Sequence, residues 1–165
     1  MSVQNSLMIE GDIAEVGMFK GGSAYLICKV KGDKGLHLFD TYEGLPETEE
    51  IDNRYFKGEF AASLEEVKHT LRDCQNVYFY KGLFPATATP VKNTKFSFVH
   101  LDVDIYKSTL ECLKFFYPRM NRGGIIISHD YFFADGVRQA FHEFFTDKPE
   151  PIIPISGNQC LIVKI

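Results

Sequence analysis

The sequence predicts an α/β fold: an open sheet of seven strands, mostly parallel, with helices on both faces and a C-terminal antiparallel hairpin. Three observations predict it. Short apolar runs alternate with amphipathic stretches from one end of the 165 residues to the other. Those runs are continuously apolar rather than alternating, as strands covered on both faces require. The last two are separated only by Ser156, Gly157 and Asn158, a tight-turn composition that closes an antiparallel pair.

The elements follow in order. Asp12–Met18 is the first strand, and Gly21, Gly22 and Ser23 come after it. Ala24–Val30 is apolar enough for a buried helix, with Ser23 as its N-cap. Leu36–Phe39 is the second strand and ends at Asp40. Ser63-Leu64-Glu65-Glu66 reads as a capping box, and Leu64, Val67 and Leu71 recur at helical spacing. Val77–Tyr80 and Phe96–Val103 are the third and fourth strands. Ser108–Tyr117 is a helix closed by Pro118 and the pair Gly123-Gly124, and Ile125–Ser128 is the fifth strand. Asp135 caps a helix whose Val137, Ala140, Phe141 and Phe144 share a face. Ile152–Ile155 and Gln159–Val163 form the hairpin.

Composition narrows the function classes. The chain reads as one domain over residues 1–165, long enough to bury a core without staples. A net charge of −4 supplies no reason to expect a nucleic-acid backbone as partner. No run approaches the ~20 apolar residues of a membrane span. Cys28, Cys74, Cys112 and Cys160 are far apart and include no C-x-x-C pair, so they read as reduced thiols. No leader-like segment opens the chain, and a cytoplasmic location is expected. A homo-oligomer is compatible with all of this.

Open sheets of this kind bind ligands at the carboxyl ends of their strands, near the point where strand order reverses. There the chain carries Glu15-Val-Gly-Met-Phe-Lys-Gly-Gly-Ser23, with the spacing E-x-G-x-x-x-G-x-S. Gly17 and Gly21 let the backbone approach a ligand, and the following helix offers free N–H groups to an anion. The spacing is not the G-x-G-x-x-G of dinucleotide enzymes, because Phe19 stands two residues after Gly17, and no G-K-[ST] follows. Asp40 lies roughly 20 residues beyond the loop, where an acid grips ribose hydroxyls. A turn glycine and a loop-capping aspartate would leave the same marks.

Five segments carry a resemblance. They are the glycine loop, Leu38-Phe-Asp-Thr-Tyr-Glu-Gly-Leu-Pro46, Tyr80-Lys-Gly-Leu-Phe-Pro85, His100-Leu-Asp-Val-Asp-Ile-Tyr106 and Gly123-Gly-Ile-Ile-Ile-Ser-His-Asp-Tyr131. With them the chain resembles class I S-adenosylmethionine-dependent methyltransferases of the macrocin O-methyltransferase type, which methylate sugar hydroxyls on a Rossmann-like seven-stranded sheet. The resemblance implies that Glu15, Gly17 and Ser23, with Gly21 of the same loop, and Asp40 line the pocket for S-adenosylmethionine. It implies that Asp102 and Asp130 bind a divalent cation, magnesium being the expected ion, and that Asp104 is the general base acting on a small-molecule acceptor.

Two departures stand out. The family usually has two adjacent acids after the fifth strand, whereas this chain has His129-Asp130. His129 could then be a third metal ligand, a hydrogen-bond partner for Asp130, or a bystander. Magnesium prefers oxygens, while imidazole better suits zinc and other transition metals. The family also usually carries a helical N-terminal extension over the acceptor. Here the first strand starts at Asp12, so the expectation is that this cover is missing and the acceptor side is open.

Independently of the resemblance, Asp102 and Asp104 fall two apart at a strand end. If both stayed extended they would share one face of the sheet and repel unless a cation sat between them. The alternative is that Asp102 caps the following turn while Asp104 is solvated. His100 and His142 read as core histidines and Arg138 as a surface residue, while Tyr106 and Tyr131 follow the acidic motifs closely enough to touch a ligand. Two other functions compete: a non-catalytic nucleoside-binding module, and a nicotinamide-dependent oxidoreductase, against which the loop spacing argues.

Overall fold

The computed structural model describes residues 2–165; Met1 of the expected domain lies outside the described residues. Seven strands form one sheet: β1 Asp12–Val16, β2 Leu36–Asp40, β3 Val77–Lys81, β4 Phe96–Leu101, β5 Met120–Ser128, β6 Ile153–Ile155 and β7 Gln159–Val163. Their order is β3-β2-β1-β4-β5-β7-β6. Strands β1 to β5 pair in parallel, and β7 runs antiparallel to both β5 and β6. The order reverses beside β1, which lies between β2 and β4, so the ligand crevice of such a sheet falls at the end of β1.

Among the described residues five α-helices cover the sheet: α1 Ser2–Ser6, α2 Gly22–Val30, α3 Leu64–Thr70, α4 Tyr106–Phe116 and α5 Asp135–Phe145. One face of the sheet, with Val16, Phe39, Val99 and Leu101, packs on Leu113 and Phe116 of α4 and Val137 and Phe141 of α5. The other, with Ile13, Leu38, Phe98 and Ile127, packs on Val3 of α1, Ala24 and Ile27 of α2 and Val67 of α3. Each fully buried aliphatic or aromatic side chain contributes roughly 1.5–3 kcal/mol of transfer free energy, which is why strands apolar on both faces sit in the middle.

Several local expectations change. Ser23 is not the cap of α2. Gly21 is, in a left-handed conformation with φ 81°, and the helix starts at Gly22, so Ser23 is already helical. Asp135 is the first residue of α5 rather than its cap, which is Ala134. On the same helix Phe145 is buried and Phe144 only partly so, both rings packing edge-on against Tyr117. The capping box of α3 forms as read: the Ser63 hydroxyl accepts from the Glu66 N–H, and the Glu66 carboxylate accepts from the Ser63 N–H. The segment ahead of Asp12 is also helical, as α1, and packs beside β5, with Ile9 against Gly123.

Candidate active site

A cavity of about 430 Å³ opens at the carboxyl ends of β1, β2, β4 and β5, a size typical of small-molecule sites. Gly17, Asp40, Asp102, Asp104, His129 and Asp130 line it. Glu15, Gly21 and Ser23 stand back from its wall. Glu15 faces its partner strand, where its Oε1 lies 2.7 Å from Nδ1 of His100, and Gly21 and Ser23 are taken up in starting α2.

Gly17 has φ 76°, and a Cβ there would lie 1.9 Å from the Asp102 carbonyl oxygen. The glycine therefore lets the loop after β1 close against the end of β4. Asp40 works inside the loops as well: its Oδ2 accepts from the Met18 N–H at 3.0 Å and its Oδ1 from the Tyr42 N–H at 2.7 Å. A carboxylate has about four lone-pair sites, so this capping leaves acceptor capacity facing the cavity.

The acids converge by a different route from the one the spacing suggests. Strand β4 stops at Leu101, and Asp104 is left-handed with φ 60°, so Asp102 and Asp104 are not paired by strand periodicity. Asp130 is left-handed too, at φ 58°. Phe19, Phe60, Asp104 and Asp130 all line the cavity with positive φ, a conformation uncommon outside glycine that concentrates where surrounding structure holds a functional geometry. Carboxylate oxygens of Asp102, Asp104 and Asp130 lie within 4.8 Å of one another. Burial, opposed by His100 and reinforced by Asp130, pushes the Asp102 carboxyl up to about 7. Burial and the charges of Asp102 and Asp130 push Asp104 up to about 8. Three oxygen donors crowded at this cost have the donor chemistry of a hard divalent cation, so the residues fit one.

The two histidines meet at the same place. The rings of His100 and His129 are 5.2 Å apart and nearly perpendicular, and ligand atoms of His100, Asp102 and His129 also lie within 4.8 Å of one another. Burial, then the neighbouring His100, lowers the His129 pKa. For His100 burial works downward too, but the hydrogen bond and charge of Glu15 outweigh it and leave its pKa raised.

The sequence reading missed three contributions. The first is the irregular segment 41–63, which brings Leu45, Pro46, Tyr55, Glu59 and Phe60 to the cavity. It is held by the buried Asp52, whose Oδ1 accepts from the Tyr106 N–H at the start of α4 at 3.0 Å. Burial, then the charges of Asp104 and Asp130, pushes the Tyr55 phenol well above its usual range. The second is the turn of the hairpin. Asn158 donates to Asp130 Oδ1 at 2.9 Å and accepts from the Phe132 N–H, while Gln159 hydrogen-bonds His129. The third is an apolar rim of Phe19, Phe60, Leu83 and Phe133, each exposed yet part of the cavity wall. Exposed aromatics beside a turn were the available signal for this rim; nothing local announced the Asn158 contact.

The remaining candidates fall outside the cavity wall. The Tyr131 hydroxyl bonds Nε2 of His142 at 2.9 Å, and the Tyr106 hydroxyl donates to Glu143. Arg138 pairs with Asp135 on the surface of α5. Among the described residues no helix is long and apolar enough to cross a membrane.

Residues 2–159 match the family model described as Macrocin-O-methyltransferase (TylF). The chain is 30% identical over 154 residues, 82% of its length and 58% of the relative's, to an 8-demethyl-8-(2,3-dimethoxy-alpha-L-rhamnosyl)-tetracenomycin-C 4'-O-methyltransferase of Streptomyces olivaceus. It is 25% identical over 156 residues, again 82% and 58%, to a demethyldecarbamoylnovobiocin O-methyltransferase of Streptomyces niveus. The chain thus spans about 58% of the length of these relatives. Among solved structures, the O-methyltransferase NovP superposes with a TM-score of 0.88 at 24% identity, covering 99% of this chain and 76% of that one. The calicheamicin methyltransferase CalS11 superposes at 0.83 and 18%, covering 97% and 74%. At these identities both show the fold.

Proposed function

Because the chain belongs to the macrocin O-methyltransferase family, we propose that it transfers a methyl group from S-adenosylmethionine to a hydroxyl of a small molecule, a sugar moiety being the acceptor, with help from a divalent cation. The observation that carries this reading is the meeting of Asp102, Asp104 and Asp130 in one cavity at the strand ends. The relative named as an O-methyltransferase of a rhamnosyl-tetracenomycin supports the acceptor class.

When bound, S-adenosylmethionine supplies an electrophilic methyl and the cation lowers the pKa of the acceptor hydroxyl. The chain's own residues do the rest. The loop at Gly17 and the carboxylate of Asp40 hold the nucleoside end of the donor. Asp102 and Asp130, with His129 beside them, hold the cation. Asp104 takes the acceptor's proton, a role worth roughly 10²–10⁴-fold. Tyr55 and the apolar rim exclude water and orient the acceptor; such alignment alone can be worth ~7–11 kcal/mol.

The test is transfer of labelled methyl from S-adenosylmethionine to a panel of glycosides, with Asp104→Asn in parallel. Turnover lost in the variant while donor binding persists supports the reading. Donor binding with no turnover on any acceptor would favour a non-catalytic nucleoside-binding module instead.

A further inference from the structure

We infer that Asp52 is a positioning residue: it joins one wall of the cavity to the two turns that carry Asp104 and Asp130, and so sets how an acceptor meets them. The inference rests on the reading that this cavity receives an acceptor hydroxyl, and it names a residue outside the cavity on which that reception depends.

Helices α4 and α5 both begin without a cap of their own. Their N-cap residues are Ile105 and Ala134, and neither makes a side-chain cap hydrogen bond. The first N–H groups of a helix have no partner inside it, and apolar residues are poor caps. The missing cap of α4 comes from 54 positions away, where Asp52 Oδ1 accepts from the Tyr106 N–H at 3.0 Å. The start of α5 leaves room for the same carboxylate. A Cβ on Gly136 would lie 2.0 Å from that oxygen and 2.9 Å from the Tyr106 nitrogen. Asp52 is thus wedged where two helix N-termini meet, an environment that favours negative charge.

Each of these helices follows an acid-bearing turn. Tyr106 is two residues beyond Asp104, and the Asp130 carbonyl accepts from the Ala134 N–H at 2.7 Å at the entrance to α5. On its other side Asp52 carries the wall. It ends the 3-10 turn Glu50–Asp52, its carbonyl accepts from the Tyr55 N–H at 3.0 Å, and Tyr55, Glu59 and Phe60 line the cavity together with the acids. Gly17 and Asp40 are held by contacts that do not involve Asp52.

Burial sets this joint apart from an ordinary cap. Asp52 is only 3% exposed, and its Oδ2 has no partner among the described residues. A buried carboxylate with an unpaired oxygen is destabilising. A local hydroxyl, such as Ser63 supplies to α3, would cap α4 without burying a charge. What Asp52 adds is control of distance: a misplacement of ~1 Å at a reacting centre can cost ~10²-fold in rate.

The experiment pairs hydrogen-exchange mass spectrometry of the full chain with acceptor kinetics, in Asp52→Ala, Asp52→Asn and Gly136→Ala. The last keeps Asp52 but crowds it, so it serves even if removal of the carboxylate disturbs folding. In Asp52→Ala and Gly136→Ala, amides of residues 45–60 should exchange at least ~10-fold faster, while those of β1, β4 and α2 keep the parent rate. With labelled S-adenosylmethionine and the best acceptor of the glycoside panel, both variants should raise the acceptor KM by ~10-fold or more and leave the donor Kd within about twofold. Asp52→Asn keeps a side-chain carbonyl for the Tyr106 N–H and should recover most of both losses. Unchanged exchange at 45–60 would overturn the proposal. So would loosening spread evenly over the chain, or a parent-like acceptor KM in variants whose 45–60 segment has loosened; either would reduce Asp52 to a helix cap. If the parent methylates no acceptor, the methyl-transfer reading fails on its own; loosening confined to 45–60 still upholds the joint, and its absence still overturns it.

Discussion

The Cβ that Gly17 lacks would lie 1.9 Å from the carbonyl oxygen of Asp102. The glycine loop after β1 and the acidic end of β4 are therefore in backbone contact, and neither can shift without the other. Gly17→Ala should destabilise the fold by more than the ~1–2 kcal/mol of a left-handed residue alone, because the loop must also move off β4. Gly22, the first residue of α2, has open space where a Cβ would go, so Gly22→Ala should be neutral or stabilise by up to ~1 kcal/mol. Urea denaturation of the two variants checks the contrast.

Asp40→Ala should abolish most of the thermal shift produced by S-adenosylmethionine. A ligand at about 100 times its Kd stabilises by ~2.7 kcal/mol. The variant also loses the caps on the Met18 and Tyr42 N–H groups, so its ligand-free melting temperature should fall too. The informative quantity is the ligand-induced increment. An increment equal to the parent's would assign Asp40 to the loops alone.

Stability should fall with rising pH in the metal-free protein. The carboxyls of Asp102 and Asp104 are raised from 3.8 to about 7 and about 8, so the folded state holds more protons than the unfolded chain across that range. Stability is thus lost as pH climbs from about 4 to about 8. His100, raised through Glu15, acts in the same sense, while His129, lowered by burial, opposes it near neutrality. Melting curves at several pH values should show the decline, and Asp104→Asn should flatten it. A parent whose melting temperature rises over this interval would contradict the crowding of the acids.

Asn158→Ala should impair the site from outside the cavity wall. Its amide fixes Asp130 Oδ1, and its backbone and side chain hold the residues that follow Asp130. If Asp130 holds the cation as proposed, removing its hydrogen-bond partner should cost ~10–100-fold in metal affinity or activity. Unchanged metal dependence in a folded variant would make Asn158 a turn residue only.

The seven strands, their order of appearance and the closing hairpin were legible because the buried strands are mostly apolar, interrupted by single polar residues such as Glu15, His37, Ser97 and His100. The acids were legible as residues that follow such runs. The geometry that joins them was not. Asp104 and Asp130 reach the site through left-handed turns, which strand periodicity does not foresee. Ser23 resembled a cap because the residue that caps α2, Gly21, has no side chain to announce it. The segment 41–63 carries no periodic signal, and its place over the cavity depends on Asp52 meeting the backbone of Tyr106 across 54 positions. Asn158 and Gln159 read as hairpin residues, and only the pairing of β7 with β5 brings them to Asp130 and His129.

The central claim is that the crevice beside β1 is built for S-adenosylmethionine. The most direct test compares thermal shifts with S-adenosylmethionine, S-adenosylhomocysteine, NAD and ATP, each with and without a divalent cation. The account predicts that the first two raise the melting temperature and that NAD and ATP leave it unchanged. Stabilisation by NAD with none from S-adenosylmethionine would contradict it.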